Sequence, residues 1–160
     1  MEHEKRIIQL GLELPPAPKA IGVYKPAIVI GNLCYTSGHG PLKPDGTLIT
    51  GCVGRDLDQQ AGYQAARQTG LALLATLRAT LGSLDRVVRL VKLLGLVWCT
   101  SDFNQHPAVI NGCSELFRDV FGEDAGVGAR SAVGMNSLPV NMAVEIEAIF
   151  EVRPGMDVIR

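Results

Sequence analysis

Charge is scarce in this chain. Asp, Glu, Lys and Arg make up 19% of its 160 residues, against ~25% in an average globular domain. The 15 basic and 16 acidic side chains nearly cancel, to a net charge of −1. A phosphate-binding surface needs a basic excess, so this balance argues against nucleic acid as a partner. Aromatic residues are also few, at 5% with one tryptophan, which removes the platforms on which single-stranded bases stack. The greasiest run, residues 93–99, falls well short of the ~20 residues a membrane helix requires. Residues 1–6 carry both signs of charge and no signal-peptide-like apolar stretch. Cys34, Cys52, Cys99 and Cys113 form no Cys-x-x-Cys pair and no cluster with histidine, which excludes zinc-ribbon and thioredoxin-like readings. Reduced, buried thiols in a cytoplasmic protein are the expectation. No G-x-G-x-x-G, P-loop or G-x-S-x-G motif occurs, so the familiar nucleotide cradles and the serine-hydrolase elbow are absent.

What is present is a 47% hydrophobic composition in a chain long enough for one domain with its own core. A small, charge-poor chain also leaves apolar surface for a partner copy to cover. Residues 1–16 read as an N-terminal extension with a short helix over 4–11, closed by Gly11 and the proline-rich stretch from Pro15 to Pro18. Residues 17–153 read as a single domain and 154–160 as a tail. Ala27–Ile30 and Leu33–Thr36 flank Gly31-Asn32, a two-residue hairpin turn. Residues 40–55 form a glycine- and proline-rich loop. A long helix follows, with Asp56 as its cap and Gln59 in the capping-box place. Ala66, Gly70, Leu73, Leu74, Leu77 and Leu81 form its apolar stripe, and Gly82 its stop.

Residues 87–99 read as a strand in which Arg89 and Lys92 fall on opposite parities, the mark of two partly exposed faces or a bulge. Pro107 opens a second core helix with a stripe of Val109, Ile110, Cys113, Leu116, Phe117 and Val120. Ala129–Met135 and residues 142–152 read as a closing hairpin, the second strand alternating apolar and acidic positions with period two. The order is β-β-α-β-α-β-β, an α+β sheet with two helices packed on one face.

Three histidines are candidates for acid–base work: His3, His39 and His106. His3 and His106 read as solvated; His39 leaves a strand for a glycine loop, where a pocket residue belongs. A second candidate is a charge pair. Folding the closing hairpin sets Arg130 near Glu145 and Glu147, either as a solvated cross-strand ion pair or as a carboxylate-binding arginine beside a carboxylate that handles a water proton.

The segment Gly128-Ala-Arg130-Ser131-Ala-Val, then Leu138-Pro139, then Val144-Glu145-Ile146-Glu147-Ala148-Ile149 resembles the signature of the reactive-intermediate deaminases, the Rid or YjgF-like proteins. Three further stretches agree in order: Ala20-Ile21-Gly22-Val23-Tyr24, Gly31-Asn32 leading to Thr36-Ser37-Gly38, and Val109-Ile110-Asn111. The similarity runs from about residue 17 to 152. It implies a chorismate-mutase-like, mixed-sheet α+β fold and a homotrimer with sites between subunits. It also implies hydrolysis of enamines and imines, such as 2-aminoacrylate and 2-iminopropanoate, to a 2-oxo acid and ammonia.

By position, the resemblance gives Arg130 the substrate carboxylate and Glu145 the attacking water. Tyr24, Ser37 and Asn111 shape the pocket, and His39 stands where the family has glutamine. It implies no metal and no organic cofactor. Ala132 replaces the family's usual cysteine and Gly128 its proline before Ala-Arg, which marks a divergent branch. Two other classes stay open: a non-catalytic binding or sensing protein for 2-oxo acids or related metabolites, and the endoribonuclease or translation-inhibitor role attached to some relatives. The latter sits badly with a chain lacking basic excess and a histidine pair for RNA cleavage.

Overall fold

The computed structural model describes residues 2–155; of the expected tail, 156–160 lie outside the described residues. A short helix α1 (His3–Gln9) is followed by an extended segment, then strands β1 (Ala27–Ile30) and β2 (Leu33–Thr36). These pair antiparallel about Gly31-Asn32 with Ile30 opposite Leu33, and Gly31 takes the positive φ (62°) that the tight turn demands. The long helix α2 (Gln59–Leu81) ends at Gly82, whose left-handed φ of 81° lets its N–H return to the Arg78 carbonyl. Its cap is Asp58, whose carboxylate accepts from Ala61 N at 2.7 Å, and not Asp56. The Asp56 carboxylate instead accepts from Cys52 N and pairs with Arg55, which holds its pKa down to about 2.

Strand β3 (Val87–Trp98), helix α3 (His106–Phe121), strand β4 (Ala129–Met135) and strand β5 (Val144–Val152) complete the chain. The mixed sheet runs β1-β2-β5-β3-β4. All six expected stripe residues of α3 are buried. Register shifts between Val87 and Arg89 and between Leu90 and Lys92 supply the bulges that the odd spacing of the two cations anticipated.

The closing hairpin does not form. β4 pairs parallel with β3, Leu93 beside Arg130, and β5 pairs antiparallel with β3 on its other side and with β2. β3-α3-β4 is therefore a strand–helix–strand crossover, and parallel strands need such a connection. The segment from β4 to β5 steps over the end of β3 through a turn at Pro139–Asn141, where Val140 and Asn141 take left-handed backbone angles.

α2 and α3 pack on one face of the sheet. Gly95 of β3 lies so close to α3 that a Cβ there would come 2.6 Å from Ile110, so Leu93, Gly95 and Val97 share the covered face. From β5, Val144, Ile146, Ala148 and Phe150 join them, all buried. The opposite face carries Tyr35, Leu94, Leu96, Trp98, Glu145, Glu147, Ile149, Val133 and Met135 and, among the described residues, has no helix over it; Tyr35, Val133 and Met135 are exposed.

α1 is fastened by two carboxylates: Asp85 accepts from His3 N at 2.8 Å and Glu4 N at 3.2 Å, and Glu4 reaches outward from the helix. Glu4 pairs with Arg78 of α2 at 2.6 Å and accepts from Leu84 N at 2.9 Å, while Ile7 enters the core. Burial alone would raise the Glu4 pKa, but these hydrogen bonds outweigh it and hold the group below its ordinary value. His3 is not free in solvent: its ring stands edge-on to Phe121 and reaches the Val87 carbonyl. His106 likewise lies edge-on to Phe103, 3.4 Å from the Cys99 sulfur. All four cysteines are free; Cys34, Cys52 and Cys113 are buried and Cys99 is half-buried. No helix among the described residues is long and apolar enough to cross a membrane.

Candidate active site

The expected site residues fall into two groups. Arg130 leaves β4 on the covered face and lies over α3, where its Nη1 donates to Asn111 Oδ1 at 2.8 Å and Ser114 Oγ at 3.1 Å. Asn111 and Ser114 are three residues apart, so one face of the helix presents both. Among the described residues no carboxylate lies within ion-pair distance of Arg130, and its Nε and Nη2 make no hydrogen bond to protein. The guanidinium opens on a cavity of about 360 Å³ bounded also by Leu90, Leu93, Glu115, Arg118 and Gly128. A half-buried cation held only by neutral acceptors, with one N–H edge spare, is a fork shaped for a carboxylate.

Glu145 belongs to the second group. Its carboxylate fills the space beside Gly38, where any Cβ would collide with it. Only glycine fits after Ser37. Burial first, and Glu147 on the same face second, push the Glu145 pKa above its ordinary value. Nearby, the Ser37 hydroxyl donates to the Lys25 carbonyl at 2.6 Å, and the Tyr24 hydroxyl accepts from Ile21 N at 3.3 Å. Tyr24 and Gly38 line a mostly apolar cavity of about 370 Å³ with Leu42, Leu48, Val140 and Met142.

Arg130 and Glu145 are not cross-strand partners. β3 stands between their strands, with Arg130 opposite Leu93 and Glu145 opposite Leu96. Two strand spacings and three residues of offset put their backbones ~14 Å apart, and their side chains leave opposite faces of the sheet. The ion pair that a hairpin would have made is replaced by the Arg130 contacts to α3. His39 borders the Tyr24 cavity, but its ring is 4% exposed and turned to α2. Nδ1 meets the Ser37 carbonyl and Nε2 the Thr76 hydroxyl, each at 2.7 Å, and burial lowers its pKa. The ring therefore has no nitrogen to offer a ligand.

Three α3 residues of the Arg130 cavity escaped the sequence reading, Ser114, Glu115 and Arg118. The signal was a polar row on α3, Asn111, Ser114, Glu115 and Arg118, recurring at helical spacing beside the apolar stripe. No group of three or more metal-ligating side chains occurs among the described residues.

A mixed five-stranded sheet with two long helices on one face and the Arg–Ser…Leu–Pro…Glu–Ile–Glu series along its last two strands and the turn between them defines an α+β protein of YjgF type. The chain belongs to that family: residues 4–151 match the family described as "YjgF/chorismate_mutase-like, putative endoribonuclease". Among curated proteins it is 38% identical to Protein TCP17 of Trypanosoma cruzi over 143 residues, 89% of each chain. It is 33% identical to the 2-iminobutanoate/2-iminopropanoate deaminase of Dermatophagoides farinae, covering 91% of this chain and 94% of that one. Among solved structures, the protein Atu1372 of Agrobacterium tumefaciens, of unknown function, superposes with a TM-score of 0.86 at 42% identity, covering 94% of this chain and 92% of that one.

Proposed function

We propose that this protein hydrolyses reactive enamines and imines of the 2-aminoacrylate and 2-imino acid class to 2-oxo acids and ammonia. The observation that carries the reading is Arg130: a half-buried guanidinium with no counter-ion among the described residues, its spare edge open to a cavity. In this reading Arg130 takes the substrate carboxylate in two parallel hydrogen bonds. Glu145, its pKa raised by burial and by Glu147, accepts a proton from the attacking water. The iminium carbon is already electrophilic, so positioning and one proton transfer suffice and the step needs no metal or organic cofactor. The shared family with proteins named 2-iminobutanoate/2-iminopropanoate deaminase supports this chemistry.

Because Arg130 and Glu145 leave opposite faces, the complete site requires two copies of the chain, the Arg130 side of one meeting the Glu145 side of the next. A homotrimer with three such clefts fits the uncovered sheet face and the free edge of β4. The second reading, a 2-oxo acid binding protein without turnover, draws on the same separation, since one subunit alone holds a carboxylate grip with Glu145 on the opposite face of the sheet. Release of ammonia from imines generated in situ by an amino-acid oxidase separates the two. Faster release than in the protein-free control is expected; carboxylate binding with no acceleration favours the binding protein.

A further inference from the structure

The Arg130 cavity holds a second charged group that the hydrolytic reading does not use. Glu115 lines the same cavity, one residue after Ser114 and four after Asn111, yet it stands beyond ion-pair distance of Arg130. Its Oε2 accepts the Tyr63 hydroxyl from α2 at 2.5 Å, which fixes the carboxylate between the two helices. Oε1 has no protein partner among the described residues. The other two charges of the cavity, Arg118 and Glu123, pair with each other at 3.8 Å. What remains, among the described residues, is one cation and one anion without an ion-pair partner, both lining a ligand-sized space walled by Leu90, Leu93, Val127 and Gly128.

A carboxylate alone satisfies half of this arrangement. A molecule that carries a carboxylate and, on the adjacent carbon, a positively charged nitrogen satisfies both halves. We infer that Glu115 is the nitrogen-recognising residue of the cavity, so that the Arg130 side binds the iminium or ammonium form of a 2-imino or 2-amino acid in preference to the corresponding 2-oxo acid. The inference rests on the reading of Arg130 as the carboxylate grip. Its consequence is directional. A substrate iminium donates N–H to Glu115, whereas the carbonyl oxygen of the 2-oxo product has no hydrogen to donate and meets the carboxylate with its lone pairs. Hydrolysis thus weakens the hold on the ligand, which favours product release. The parent amino acid, which presents the same pair of charges, competes for the cavity.

The test compares L-2-aminobutanoate with 2-oxobutanoate, two ligands of one carbon skeleton that differ only at the recognised position, by calorimetric titration of the intact protein. The amino acid is expected to bind the wild type more tightly. Glu115→Gln is expected to weaken it by roughly tenfold or more, the worth of a charge-assisted hydrogen bond, and to leave 2-oxobutanoate within about threefold. Tyr63→Phe removes the hydroxyl but keeps the charge and retains the preference for the amino acid. Loss of both ligands in step in Glu115→Gln, or equal affinity of the wild type for the two, overturns the inference while leaving the arginine reading intact. No binding of either ligand by the wild type overturns the inference too. Arg130→Lys that leaves both affinities unchanged overturns the arginine reading itself.

Discussion

The two faces of this sheet are built by different means. On the covered face, Arg130 is held by side chains of a helix, Asn111 and Ser114, in a cavity where Glu115 and Arg118 stand beside Leu90 and Leu93. On the open face, Glu145 is held by shape: glycine at 38 makes room for it, and Gly38 in turn borders the mostly apolar Tyr24 cavity. The first arrangement leaves a cation with one N–H edge free and ready to pair. The second keeps an anion poorly solvated and so raises its basicity. Recognition of a carboxylate and acceptance of a proton call for these opposite environments, and the sheet keeps them apart.

The sharpest way to break this contrast is Glu145→Gln, which preserves volume beside Gly38 and removes the proton acceptor. Turnover is expected to fall ~10²–10⁴-fold while 2-oxo acid affinity survives, as steady-state kinetics with a binding titration would register. Arg130→Lys addresses the other face: an ammonium cannot give two parallel hydrogen bonds, so affinity for 2-oxo acids is expected to drop about tenfold to a hundredfold. Unfolding and refolding the two variants together in equal amounts tests whether the faces meet across subunits. Random association would restore about a quarter of the clefts, with activity to match, whereas a site confined to one chain would recover none.

Glu147→Gln sharpens the comparison through pH. Glu145 must be ionised to act, so activity falls as pH drops through its raised pKa. Removing Glu147 takes away the smaller of the two causes, and the acid limb of the rate profile should move to lower pH. Unchanged acid limbs would detach that limb from Glu145. The smallest effect is expected at 132. Ala132 shares a strand face with Arg130, and hydrolysis of an imine needs no thiol. Turnover of Ala132→Cys should therefore stay within a few-fold of wild type, and a hundredfold gain would overturn that expectation.

Much of this architecture is legible in the sequence, and the failures have physical causes. Alternation over residues 144–152 identifies which side chains of β5 are buried, and the stripe on α3 does the same. Period two assigns a residue to a face but says nothing about which strand lies alongside, and so β4 was matched to its neighbour in sequence. The helical stretch between β3 and β4 was the cue that they run parallel. Asp56 and Asp58 are equally good caps by composition, and only the fold shows the first carboxylate spent on Cys52 and Arg55. His39 follows a strand into a glycine loop as pocket residues do, yet parity sends its ring inward to Thr76. The separation of Arg130 from Glu145 follows from strand order, which no local pattern encodes.

The Glu4 contacts bear on how the molecule resists proteases. One carboxylate joins α1 to the end of α2 and to the turn before β3, so the N-terminal segment peels away only when both of these attachments break. Because the folded-state pKa is lowered, this fastening is at full strength above the ordinary carboxylate range and is lost as pH falls through the lowered value. Acid strong enough to protonate Glu4 is therefore expected to loosen this fastening and to offer cleavage sites around α1.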